Sequence, residues 1–248
     1  MRIWQKTDQG VIRKENQDAC GVQKCGDYIA AVVCDGMGGA KAGAVASTMA
    51  RDIFLNTLEN TLLPNMSDDE VAEIARAAVN RANGAVFDSS CEENDYRGMG
   101  TTLVAAICAG ARCTILNIGD SRAYRINASG IKVITRDHSW VQDMLENGDI
   151  TEEQARNHPN RNLITRALGT EKIVHCDTFS LDLAEGDYLL LCSDGLVNTV
   201  TDQEMLYEVI HGEKTETCLD RLMEIAIDRG APDNVTVVLM QYEKEAEE

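Results

Sequence analysis

The chain has 248 residues, 44% hydrophobic and 26% charged, an ordinary balance for a globular protein long enough to bury a sizeable core. Its 41 acidic residues outweigh 23 basic ones, for a net charge of −18, which excludes the clustered basic surface that nucleic acids and anionic membranes require. Nine cysteines occur with no C-x-x-C pair, excluding a zinc ribbon or a dithiol redox motif, and most of them sit inside apolar runs where Cys acts as a small core residue.

The first residues form no apolar signal segment, and no run of about 18 apolar residues exists anywhere, so a reduced, cytoplasmic protein is expected. Thr7-Asp8-Gln9-Gly10 reads as a turn leading to Arg13 and Asp18. Strands over 19–24 and 28–34 make a hairpin across Cys25-Gly26-Asp27. The second strand ends in Asp35-Gly36-Met37-Gly38-Gly39, a carboxylate where glycines let backbone approach closely.

Apolar residues at helical spacing predict a helix over 40–63, stopped by Pro64. Ser67-Asp68-Asp69-Glu70 is a capping box for a second helix reaching about residue 88. Strands over 101–109, 112–118, 121–127 and 131–135, parted by turns, predict an antiparallel meander. Residues 139–169 are polar, with helical pieces and another capping box at Thr151-Glu152-Glu153-Gln154. Strands over 174–181 and 187–193, helices over 202–211 (capped by Thr201, with Glu204) and 215–229, and a strand over 234–241 complete the chain. Long helices among antiparallel strands place helices outside and sheets inside, an α+β arrangement. With no linker and no repeat, residues 1–248 read as one domain.

Five acids stand at the edges of apolar strands: Asp18, Asp35, Asp120, Asp194 and Asp233. Any one of them is explained as a turn or cap residue. Five at corresponding places are not, because buried like charges repel unless cations neutralise them. Oxygen donors suit Mg²⁺ or Mn²⁺, whereas zinc prefers His and Cys. Arg13 is a guanidinium able to grip a phosphate with two hydrogen bonds, although a lone Arg is more often an exposed surface charge.

On these residues the chain resembles the metal-dependent serine/threonine phosphatases of the protein phosphatase 2C type, in their short bacterial form. The matching blocks are Asp8-Gln9-Gly10-Val11-Ile12-Arg13-Lys14-Glu15-Asn16-Gln17-Asp18, Asp35-Gly36-Met37-Gly38-Gly39, Gly100-Thr101-Thr102-Leu103 and Gly119-Asp120-Ser121-Arg122. They continue with Thr135-Arg136-Asp137-His138-Ser139, Leu163-Ile164-Thr165-Arg166-Ala167-Leu168-Gly169, Ser193-Asp194-Gly195-Leu196 and Asp233-Asn234-Val235-Thr236. Each block is weak alone; the ordered set is specific.

The resemblance implies a four-layer αββα sandwich, two central antiparallel sheets flanked by helices, with a binuclear Mn²⁺ or Mg²⁺ centre at one end. By that match Asp35 bridges both ions, Asp194 and Asp233 complete one, and the Gly36 carbonyl serves the other, with Asp18 reaching it through water. Asp120 with Asp194 matches a third, weaker site, and Arg13 holds the substrate phosphate, which a bridging hydroxide attacks. The segment between Val141 and Thr165 matches the flap beside the active site. The implied substrates are phosphoserine and phosphothreonine proteins, foremost a serine/threonine kinase and its targets, with the phosphatase acting as a monomer and binding neither nucleic acid nor membrane.

One departure matters. Many eukaryotic members carry His where this chain has Met37, and Met has no proton to donate; His138 belongs instead to a local hydrogen-bond cluster. Three other readings compete. Cys91-Glu92-Glu93-Asn94-Asp95-Tyr96-Arg97 fits the C-x5-R spacing of tyrosine phosphatases, but its acids oppose both a thiolate and a phosphate. Gly38-Gly39-Ala40-Lys41-Ala42-Gly43 lacks the Gly-Lys-Ser/Thr of a nucleotide loop. A catalytically silent, metal-dependent phosphoprotein-binding module on the same fold is expected to have lost a ligand acid, and all are present.

Overall fold

Side chains in a strand alternate between two faces, and here that alternation builds three apolar layers between four layers of structure. The computed structural model describes residues 1–39, 41–212 and 215–244. One antiparallel sheet has the order β2 (Asp18–Cys25), β3 (Tyr28–Met37), β5 (Leu103–Ala109), β6 (Arg112–Ile118), β9 (Asp177–Asp182), with the short β4 (Gly100–Thr101) pairing the end of β3. The other has the order β1 (Arg2–Asp8), β11 (Val235–Gln241), β10 (Tyr188–Cys192), β7 (Arg122–Asn127), β8 (Gly130–Val133).

Ala30, Val32 and Cys34 of β3 and Ala105 of β5 face outward onto α1 (Ala42–Thr61) and α2 (Asp68–Glu92). Tyr124, Leu190, Val237 and Leu239 face the opposite way, onto α6 (Asp202–His211) and α7 (Thr215–Asp228). The residues between them in sequence, Ala31, Val33, Val104, Ala106, Leu189, Leu191 and Val238, meet in the layer between the sheets. The four-layer αββα sandwich is therefore present, with both helical layers and both sheets as expected. No helix among the described residues is long and apolar enough to cross a membrane.

The capping boxes form as read: Ser67 with Glu70, Thr151 with Gln154, and Thr201 with Glu204 each close both bonds. Four differences are informative. β1 is an edge strand paired from Arg2↔Gln241 to Asp8↔Val235; its polar half faces solvent, so the apolar signal of a strand is missing there and the turn begins only after Asp8. β3 runs on through Asp35 and Gly36 to Met37, because β4 supplies a partner (Gly36↔Thr101) that no local pattern announces. A four-residue helix, α5 (Asp194–Val197), follows β10 and is too short to show a period. Finally, Cys108 and Cys113, directly opposed on the β5–β6 hairpin with Cα atoms 4.1 Å apart, are joined as a disulfide, so these two are not the separate reduced thiols expected. Residue 40, where the sequence places the start of the first helix, lies outside the described residues.

Candidate metal centre

The same alternation that fills the layer between the sheets carries it, at one end, into polar residues. Following Ala31 and Val33, the next side chain of β3 on that face is Asp35. Opposite it in register stands Asp18, two residues before Cys20 on the inner face of β2. Beyond Val104 comes Thr102, beyond Leu191 comes Ser193, beyond Val238 comes Thr236, and beyond Ala123 comes Ser121. One end of the sandwich is thus a buried polar floor.

This floor is tightly bonded. The Thr102 hydroxyl pairs with that of Ser121 at 2.7 Å and accepts the Asp35 backbone N–H at 2.9 Å. The Ser193 hydroxyl donates to Asp18 Oδ2 at 2.8 Å and accepts the Thr236 N–H at 3.0 Å. Thr236 and Thr7 join hydroxyls at 2.7 Å, and Asn16 Nδ2 donates to Thr7 Oγ1 at 2.8 Å. Two glycines let backbones meet. A Cβ on Gly36 would collide with the Gly43 carbonyl in the first turn of α1, and one on Gly195 with the Asn234 carbonyl.

Five carboxylates converge on this floor. Burial drives Asp35 well above the usual carboxylate range, and the charges of Asp18, Asp194, Asp120 and Asp233 drive it further. Burial likewise pushes Asp18 up to about 7, against the hydroxyls of Thr236 and Ser193. Asp120 rises to about 8, from burial and then from Asp194. Asp194, first residue of α5, is raised by burial and by Asp233, while hydrogen bonds with Asp35 and Asn198 oppose the rise. Asp18 Oδ1 and Asp194 Oδ1 are buried with no hydrogen-bond partner. A buried carboxylate oxygen without a donor is a costly arrangement that a hard cation relieves.

Among the described residues no group of three His, Cys, Asp or Glu side chains encloses an ion by itself. Backbone carbonyls and water would complete the shell of any ion held here, as Mg²⁺ and Mn²⁺, ions that keep part of their hydration, allow. The donor set fits such ions: all oxygen, strongly acidic, partly unpaired. Asp18, Asp120, Asp194 and Asp233 thus all lie within electrostatic reach of Asp35, with the Gly36 backbone next to it in β3.

Arg13 is placed differently from a free phosphate clamp. Its Nη2 lies 2.6 Å from Asp233 Oδ2, so the guanidinium neutralises one of the candidate ligands. Its loop is stapled down by Asn234, a residue that sequence reasoning passed over within a recognised block. Asn234, 3% exposed, donates through Nδ2 to the Gln9 and Glu15 carbonyls (2.8 and 3.0 Å) and accepts the Gln17 N–H at 2.8 Å. The segment between Val141 and Thr165 holds α3 (Trp140–Glu146) and α4 (Glu152–Arg156), neither with a buried residue. Its base is closed by the Ser139↔Ile164 bridge, and Arg136 ties α3 down through Asp143 and Glu146 at 2.7 Å each. The rival motif does not assemble. Cys91 lies exposed in the last turn of α2 and Arg97 past a 3₁₀ turn, so no loop of free N–H groups faces the thiol.

Comparison with known proteins gives concordant results. Residues 13–236 match the protein phosphatase 2C family. The serine/threonine phosphatase stp of Listeria monocytogenes is 39% identical over 95% of this chain and 94% of its own length. Among solved structures, serine/threonine phosphatase Stp1 from Staphylococcus aureus superposes with a TM-score of 0.93 at 39% identity, covering 98% of this chain and 95% of that one. The catalytic domain of the serine/threonine phosphatase PstP, solved in complex with two manganese ions, superposes at 0.86 with 32% identity and 98% coverage of both chains.

Proposed function

The chain belongs to the protein phosphatase 2C family, and from that premise we propose that it hydrolyses phosphoserine and phosphothreonine in proteins, as one catalytic domain, at the polar end of its sandwich. The observation that carries this reading is the gathering of four partly buried acids around Asp35, with two buried, unpartnered carboxylate oxygens among them, at the end of the layer between the sheets. Asp35, Asp194, Asp233 and the Gly36 carbonyl would hold a pair of Mn²⁺ or Mg²⁺ ions, with Asp18 reaching them through water, and Asp120 with Asp194 would hold a weaker third. When bound, the ions lower the pKa of water between them and spread the charge of the phosphoryl oxygens.

The chain's own residues supply the rest. Arg13, now paired with Asp233, would be free to clamp two phosphate oxygens where Asp233 instead served an ion as ligand. Asn234 fixes the Arg13 loop, so the clamp is set before substrate arrives. Met37 has no proton to give, and both His138 nitrogens are engaged elsewhere, so the leaving Ser or Thr oxygen takes its proton from water. The reaction that must supply the substrate is protein phosphorylation on Ser or Thr, so a serine/threonine kinase and its products are the partners, met in the cytosol by a monomer. A binding module without catalysis is disfavoured, since every acid of the set is in place.

The test is hydrolysis of a phosphothreonine peptide. Mn²⁺ restores activity and EDTA abolishes it. Asp35→Asn and Asp194→Ala each lower kcat about 1,000-fold or more, the loss of several kcal/mol of charge stabilisation, with the circular dichroism of the fold intact. Full activity in either variant overturns the assignment.

A further inference from the structure

The turn that carries Asp120 is held by a side chain with no part in the chemistry above. The chain leaves β6 at Ile118 and reverses through Gly119 and Asp120 before β7 begins at Arg122. His138, 1% exposed, grips Gly119 on both of its backbone groups. Its ring Nδ1 accepts the Gly119 N–H at 3.0 Å, and its own backbone N–H donates to the Gly119 carbonyl at 2.9 Å.

That geometry decides the tautomer. A ring nitrogen that accepts an N–H carries no proton, so the neutral imidazole is protonated at Nε2. Nε2 stands 3.1 Å from Asp177 Oδ2, the acceptor for that proton. Arg166 Nη1 is also close, at 2.9 Å, but its hydrogens go to Asp177 Oδ1 at 2.8 Å and the His175 carbonyl at 3.1 Å. Arg166 therefore fixes Asp177, Asp177 fixes the ring, and the ring fixes Gly119. From the other side Gly119, at φ +101°, lies against Thr102, where a Cβ would stand 2.6 Å from Thr102 Cγ2. Thr102 is the residue that receives the Asp35 N–H. The turn is clamped on both flanks.

We propose that His138 is a positioning residue for Asp120: by holding both polar groups of Gly119 it sets the aim of the Asp120 carboxylate, and with it the affinity of the weaker cation site shared with Asp194. The inference rests on the reading of Asp120 as a ligand given under the proposed function. Because the Thr165 N–H donates to the His138 carbonyl at 2.8 Å, the base of the Val141 to Thr165 segment is anchored on the same residue. A purely structural role predicts something else, a loss of stability with no selective effect on one ion.

Two variants separate these roles. His138→Asn keeps an amide oxygen near the Nδ1 position and gives up Asp177; His138→Gln reaches toward Asp177 and gives up the Gly119 N–H. Mn²⁺ is titrated into the full chain, with free Mn²⁺ read by electron paramagnetic resonance and thermal unfolding recorded in parallel. In the wild type a third, weaker ion follows the tight pair. His138→Gln weakens that ion about 10-fold and leaves the pair unchanged, while His138→Asn stays within about threefold of wild type, the range expected of groups one step removed from a ligand. Equal affinity in wild type and His138→Gln, or equal losses in both variants that track their unfolding temperatures, overturns the proposal. Should His138→Gln fail to fold, Asp177→Ala, which removes the acceptor that fixes the ring, is expected to weaken the same ion selectively; no change overturns the proposal. Asp120→Asn tests the underlying reading by itself. If it leaves the number of bound Mn²⁺ unchanged, Asp120 is not a ligand, whatever the His138 variants show.

Discussion

The layer between the two sheets has two ends made by the same strands. Along its apolar length Val33, Val104, Leu191 and Val238 close on one another, and burial there is favourable for each methylene removed from water. Two residues further along the same four chains stand Asp35, Thr102, Ser193 and Thr236. Nothing in the backbone changes between them: β3 stays paired through Asp35 to Met37. The apolar end stabilises the fold; the acidic end draws on that stability to hold like charges together.

The comparison breaks most visibly at the apolar end. Leu191→Ala leaves a cavity and destabilises the protein by about 2–5 kcal/mol in urea unfolding, while turnover per folded molecule stays near wild type. A loss of activity beyond the folded fraction contradicts a division between the two ends. At the acidic end the sign reverses. In EDTA near neutral pH, Asp35→Asn replaces a carboxyl whose ionisation burial and the neighbouring acids oppose with a group that does not ionise, and stabilises the protein by about 1–3 kcal/mol, although it abolishes activity. A lower midpoint for this variant than for wild type in EDTA contradicts the electrostatic reading.

The smallest effect is in the pH dependence. Asp18 and Asp120 are raised in the folded state to about 7 and about 8, from an unfolded value of about 3.9. The folded state then binds more protons between these values, so metal-free stability falls as pH rises from about 4 to about 8. Glu204 is the opposite case. Its bond to Arg229, at 2.6 Å, holds it down to about 2, so its contribution is present above the unfolded value and is lost only as pH falls toward 2. Between pH 5 and pH 8 in EDTA the unfolding midpoint falls, Asp120→Asn makes that fall shallower, and saturating Mn²⁺ removes most of it. An equal slope in the variant rules out Asp120 as a source of the fall.

Much of the fold was legible because it is written locally. Short apolar runs bounded by turn residues marked β5, β6, β10 and β11, and Ser67, Thr151 and Thr201 announced their helices through hydroxyls three residues before Glu or Gln. β1 was not legible, since a half-exposed edge strand carrying Arg2, Gln5 and Lys6 has no apolar alternation. At the site, the five acids could be picked out by their places beside strands and glycines. Asn234 could not, because an Asn in a turn is common and only its three bonds to the 9–17 loop distinguish it. Ser193, Thr102 and Thr236 were within reach, had the inner-face alternation been followed two residues past the last apolar side chain.

By itself the sequence determined which residues are acids at strand ends, which runs are strands and helices, and which ordered motifs tie the chain to its family. Those are matters of composition and of contacts within a few residues. Only the tertiary structure decided that Asp18 lies opposite Asp35, that Asp233 faces Arg13 across 220 positions of chain, and that His138 holds the turn of Asp120. Those pairings depend on sheet register and on burial. A carboxylate becomes a ligand candidate only when its neighbours have taken it out of water, and no local pattern records who those neighbours are.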